Sequence, residues 1–112
     1  MTRPYSPVVE AGQWRCVSGQ IGLTADGLAA DFGGQLADTL ANLEAVLADS
    51  GLRRDQVVKT TVFLTDMADY DELNEAWTSF FAEPRPARSA VAVAALPLGA
   101  LVEVEAWVHV PG

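Results

Sequence analysis

The hydrophobic periods of this chain predict an α+β fold in the order ββαβαββ. Three observations carry that reading. Leu36, Leu40, Leu43 and Leu47 recur at steps of four, three and four residues, the repeat of one helix face. Residues 56–64, QVVKTTVFL, are β-branched and aromatic with no breaker, as in a central strand. From 101 to 110, Val102, Val104, Ala106, Val108 and Val110 alternate with Leu101, Glu103, Glu105, Trp107 and His109, the two-residue period of a strand.

The other elements fit between these. Residues 5–10 and 14–18 lean towards strand, and Ala11-Gly12-Gln13 between them signals the turn of a hairpin. Residues 21–34 hold four glycines and read as a loop. The first helix is expected over 35–50, with Gly51 suited to its C-cap and Asp38, Asn42 and Asp49 on a solvated face. A second helix begins after Asp66. Asp69 and Glu72 form a capping-box pattern there, Tyr70, Leu73, Trp77 and Phe80 supply the apolar face, and Pro84 and Pro86 end it. Strands at 88–94 and 101–110 flank a loop around Pro97 and Gly99. Two helices cover only one face of such a sheet, so the other face needs a cover of its own, which an oligomer supplies.

Length and charge narrow the function. The 112 residues suit one domain, 1–112, without linker or repeat. A net charge of −8 with seven scattered basic residues offers no stripe for phosphates, so no nucleic-acid partner is expected and RNA cleavage is the weakest of the candidate activities. No membrane partner is expected either, because Pro97 and Gly99 break the longest apolar run. The opening residues lack an apolar leader, and a soluble, cytoplasmic protein is the expectation. Cys16 is the only cysteine and reads as a core thiol. The lone His109 reads as a surface or interface residue, and the composition holds no cysteine-rich or histidine-cluster metal site.

One residue breaks the apolar pattern. In PARSAV at 86–91, Arg88 opens a strand of Ala and Val. A guanidinium cannot discharge, so it must reach water, pair with an acid or receive an anionic ligand. A short loop separates its strand from the one bearing Glu103 and Glu105, which suggests neighbouring antiparallel strands and a shared pocket. Such a pair is ordinarily a salt bridge of small energetic value. It also suits an anionic substrate attacked by water: the fork grips a carboxylate and a glutamate orients the water.

Two long segments, VVKTTVFLTDMADYDELNEAW at 57–77 and PARSAVAVAALPLGALVEVEA at 86–106, resemble the Rid/YjgF family of enamine/imine deaminases. PYSP at 4–7 and VSGQI at 17–21 are similar to it as well, so the resemblance spans nearly the whole chain. It implies a chorismate-mutase-like fold, a mixed sheet with two helices on one face. It also implies a homotrimer with sheets packed into a central barrel and sites in clefts between subunits. The implied reaction hydrolyses 2-aminoacrylate or 2-iminopropanoate to a 2-keto acid and ammonia, with no cofactor. Carried over by motif, Arg88 matches the carboxylate-binding arginine and Glu103 the water-positioning glutamate. Tyr5, Ser18 and Asn74 match residues lining the site. Ala90, also carried over as lining the site, stands where the family often has cysteine, so no thiol acts there and only its backbone groups remain available to substrate. Glu103 is expected to be partly buried with a raised pKa, unless Arg88 offsets it. A catabolic imine hydrolase with another substrate, and a carboxylate-binding regulatory trimer without turnover, are the competing readings. Tyr5, Ser18 and the three tryptophans also have plain structural roles open to them, Tyr5 in hairpin packing, Ser18 in a turn and the tryptophans in packing.

Overall fold

The computed structural model describes residues 3–112; Met1 and Thr2, where the leader reading begins, lie outside the described residues. Five strands form one mixed sheet: β1 (Val8–Ala11), β2 (Trp14–Gln20), β3 (Val57–Leu64), β4 (Ala87–Ala92) and β5 (Val102–His109). Their spatial order is β1-β2-β5-β3-β4, with β3 and β4 parallel and the other pairs antiparallel. Helices α1 (Phe32–Asp49) and α2 (Tyr70–Phe80) complete the expected ββαβαββ order. Among the described residues no helix is long and apolar enough to cross a membrane.

The first hairpin closes at Gly12 and Gln13. Gly12 has a φ of 61°, the left-handed torsion that a tight hairpin turn requires at its first central position. β1 starts at Val8 rather than residue 5, because Pro4 and Pro7 have no N–H to give a ladder. All four leucines of the predicted stripe are buried on α1, and they meet Val102, Val104, Ala106 and Val108 of β5 in the core.

Helix α1 begins three residues earlier than its apolar period suggests. The Asp31 carboxylate accepts from Gly34 N at 2.8 Å, a side-chain cap that admits two glycines to the first turn. At its other end Leu52 N donates to Leu47 O and Gly51 N to Ala48 O. With Gly51 at φ 71°, this is a Schellman closure, and it confirms Gly51 as the stop. The capping box expected at Asp69 does not form. Asp69 belongs to a 3-10 turn (Met67–Asp69) that runs straight into α2, and Asp66 caps that turn by accepting from Ala68 N.

The expected pairing of β4 with β5 is also overturned, since β3 lies between them. Helix α2 returns the chain parallel to β3 on its outer side, leaving β4 as the sheet edge. The following loop then crosses the end of β3, where Val93 N donates to Leu64 O and Thr65 N to Leu101 O, before β5 enters on β3's other side. The face away from the helices carries Cys16, Lys59, Thr61, Phe63, Glu103, Glu105 and Trp107, and neither helix covers it.

Candidate functional site

Arg88 sits on the edge strand opposite Thr60, a fully buried residue of the helix-covered face, so its side chain turns towards α2. There Nη2 donates to Asn74 Oδ1 at 2.6 Å and, weakly, to Tyr70 Oη at 3.4 Å. The guanidinium carbon stands 5.3 Å from the Trp77 ring centre and 5.6 Å from that of Tyr70. Tyr70, Asn74 and Trp77 are spaced four and three apart, so α2 presents them as one column facing the arginine. A ring face attracts a cation by ~0.5–1 kcal/mol at a half-exposed site, enough to orient the guanidinium without neutralising it.

What Arg88 lacks is an acid. Arg15, Arg53, Arg54 and Arg85 each lie beside a carboxylate, whereas Arg88 has no ion pair among the described residues. Its Nε and Nη1 groups have no protein acceptor there either. One side of the fork is fixed by the protein and the other has no acceptor among the described residues, a geometry able to take a planar anion. Ala90, two residues on and on the same face, is partly buried against the core, and its side chain is only a methyl group.

Glu103 occupies the opposite face. It pairs in register with Phe63 on β3 and alternates with the buried Val102 and Val104. Desolvation raises its pKa above the usual glutamate value, and the charge of Glu105 adds to the rise. The raised value agrees with the expectation for an unpaired glutamate. Arg88 provides no offset, because the two side chains lie on opposite faces with β3 between their strands. Three residues of register and two strand spacings put their Cα atoms about 14 Å apart. The shared pocket anticipated from the short loop is therefore not formed within one chain.

The remaining candidates lie on β2 and the segment that precedes β1. Ser18 Oγ donates to Ser6 O at 2.6 Å and Ser18 N to Pro7 O at 2.9 Å, which ties the N-terminal segment to β2. This is the turn-holding role open to a serine, and it anchors the segment bearing Tyr5. Tyr5 is 58% exposed and lines a groove of about 640 Å³ with Arg3, Gly19, Leu98 and the α1 residues Asn42 and Val46; Glu103 is not among its lining residues. Among the described residues no three His, Cys, Asp or Glu side chains converge as a metal site requires.

The structure thus brings Arg88, Asn74 and Ala90 together at the α2–β4 edge, ties Ser18 to the N-terminal segment that bears Tyr5, and leaves Glu103 apart from them on the uncovered face of β5. Sequence reasoning assigned Trp77 and Tyr70 to packing alone. Trp77 does pack, but both rings also flank Arg88. The signal was Asn74, a polar residue one step from the apolar column that contains them.

Comparison with known proteins gives a consistent result. The family model described as Endoribonuclease L-PSP matches residues 1–110. A RutC family protein of Pyrococcus horikoshii is 38% identical over 106 residues, covering 92% of this chain and 84% of that protein. The 2-iminobutanoate/2-iminopropanoate deaminase of Mus musculus is 41% identical over 106 residues, covering 92% and 78%. The crystal structure of RidA from the Antarctic bacterium Psychrobacter sp. PAMC 21119 superimposes with a TM-score of 0.92 at 37% identity, covering 98% of this chain and 91% of that one.

Proposed function

The chain belongs to the endoribonuclease L-PSP family, the Rid/YjgF family, and from that premise we propose that it hydrolyses reactive enamine and imine acids of the 2-aminoacrylate/2-iminopropanoate type to 2-keto acids and ammonia. The observation that carries the reading is the half-engaged guanidinium of Arg88, oriented by Asn74 and two rings with no acid beside it. A net charge of −8 weighs against an RNA substrate.

The chemistry asks little of the protein, because an iminium carbon is already electrophilic. Arg88 takes the substrate carboxylate on its free N–H groups and withdraws charge from the adjacent carbon. Glu103 accepts a proton from water as the new C–O bond forms. Glu103 returns that proton to the carbinolamine nitrogen; as the hydroxyl gives up its proton to the carboxylate and forms the C=O bond, the C–N bond breaks and ammonia leaves with its electron pair, so imine plus water gives keto acid plus ammonia. A carboxylate with a raised pKa suits the proton shuttle, since it holds a proton long enough to return it.

Arg88 and Glu103 act together only if different copies contribute them. In the proposed homotrimer the Arg88–Asn74–Ala90 edge of one subunit faces Glu103 of the next. The uncovered sheet face supports this assembly: Trp107, Trp14 and Val91 are substantially exposed on it, an apolar surface that association would bury.

The test mixes two inactive variants. A pyridoxal-phosphate dehydratase generates the imine in situ, and keto acid release is followed. Arg88→Ala and Glu103→Gln should each lose the acceleration. After co-refolding at equal amounts, random assembly leaves about one site in four with both wild-type groups, and roughly a quarter of the activity returns. Retained activity in Arg88→Ala, or no recovery on mixing, would refute the shared site. Rates across several imino acids distinguish the proposed substrates from other imines, and saturable keto-acid binding without turnover would identify a binding protein instead.

A further inference from the structure

The register of β2 carries a further step, which rests on the deaminase reading. Val17 pairs with Ala106 and Gln20 with Val104, so Ser18 and Gly19 together stand opposite Glu105. Two residues facing one is a β-bulge, a device that re-aims neighbouring side chains. Its consequence appears at Gly19. A Cβ there would lie 2.7 Å from Glu103 Cδ and 3.1 Å from Cγ, and nearer still to the Oε2 oxygen. Gly19 is not among the left-handed glycines, which are Gly12, Gly27, Gly51 and Gly99. Space rather than torsion is therefore what a side chain at this position would contest with Glu103.

No hydrogen bond or ion pair to Glu103 exists among the described residues. The groups facing it leave it without a counter-charge. From β3 come Phe63 and Thr61, neither titratable. Lys59 lies further along, its amine bonded to Ser89 Oγ and Thr60 O. From β2 come Ser18 and Gly19, and Glu105 on its own strand is a like charge. What holds the carboxylate in place is then the shape of the surface beneath it.

We propose that Gly19 is a positioning residue: its missing side chain, set against β5 by the bulge, is the seat on which the Glu103 carboxylate rests while it handles water. The raised pKa of Glu103 agrees with a carboxylate laid against backbone rather than extended into solvent.

The test substitutes Gly19→Ala. The colliding atoms are the far end of a flexible side chain, which swings away, and alanine is no worse than glycine in a strand. The primary measurement is the ¹³C NMR titration of the Glu103 carboxyl, which does not depend on turnover. Its midpoint should fall towards the ordinary glutamate range in the variant. Glu103→Asp, which leaves the bulge untouched, lifts the carboxylate off the seat from the other side and should titrate as an ordinary aspartate. In the coupled assay Gly19→Ala should lower kcat roughly 100-fold with little change in KM, the cost of misplacing a reacting group by about 1 Å. The acid limb of its pH profile should move to lower pH. In a Glu103→Gln background the same substitution should cost nothing further, because its effect passes through the carboxylate. An unchanged titration midpoint in Gly19→Ala, or an equal loss in the Glu103→Gln background, overturns the proposal. If wild type turns over no imine, the deaminase reading fails, while the titration still decides whether Gly19 seats Glu103.

Discussion

Replacing Asn74 by alanine removes the strongest protein contact of the Arg88 guanidinium, the 2.6 Å bond from Nη2 to Oδ1. A hydrogen bond to a charged group contributes ~1.5–3 kcal/mol. The low end applies, because the site is half-exposed and Tyr70 Oη remains within 3.4 Å. About 1.5 kcal/mol is close to a tenfold change in an equilibrium constant. If Arg88 anchors the substrate in ground and transition states alike, that factor falls on KM and on keto-acid affinity, with kcat little changed. Calorimetric titration with pyruvate and the coupled turnover assay measure both. Asn74→Asp sharpens the reasoning. A carboxylate at the same position would hold the guanidinium more firmly and also occupy it, so the fold should be at least as stable while ligand binding falls below that of Asn74→Ala. Pyruvate binding to Asn74→Asp as tight as to wild type would refute the claim that Arg88 must stay unpaired.

Other consequences can be measured on the folded chain. Glu103 has its pKa raised on folding, so its favourable contribution is complete below the ordinary glutamate value and is lost as pH rises through the raised one. Glu103→Gln should therefore be at least as stable as wild type in thermal unfolding at neutral pH, with the difference vanishing in acid, while turnover falls by roughly 10²–10⁴. Leu43, fully buried between α1 and the sheet, should cost about 2–5 kcal/mol in urea unfolding when changed to alanine. Leu98 is highly exposed with a φ of 59°, a torsion disfavoured by ~1 kcal/mol for most L-residues but tolerated by asparagine. Leu98→Asn should raise the urea midpoint at unchanged slope.

The sequence made faces legible and neighbours illegible. The leucine stripe of α1 and the valines of β5 are local periods, and a buried face follows directly from a period. They also placed Glu103 and Glu105 together on the other face, which the structure bears out. Strand order is not local. Nothing in the loop between β4 and β5 records that it crosses the end of β3, so the short connection suggested adjacency and the pairing of Arg88 with Glu103 in one pocket. The start of α1 was hidden differently, since Gly33 and Gly34 are poor helix formers and only the Asp31 cap admits them. Gly19 was invisible as a determinant because its contribution is an absence, detectable only when another side chain is seen to occupy the space.

The placement of β5 keeps Arg88 and Glu103 apart within one molecule. Arg88 faces α2 because its strand pairs in register with the buried Thr60, and Glu103 faces away because it alternates with Val102 and Val104. A one-residue slip of β5 would bring both to one face, but it would also turn its valines out of the core. At ~1.5–3 kcal/mol for each large apolar side chain exposed, such a slip is far more costly than an unpaired surface carboxylate. Core burial therefore fixes the separation. The arginine remains free of its most obvious internal partner, and a carboxylate ligand can compete for it. The same constraint ties the proposed chemistry to association: within one chain the two groups lie on opposite faces and cannot meet at one substrate.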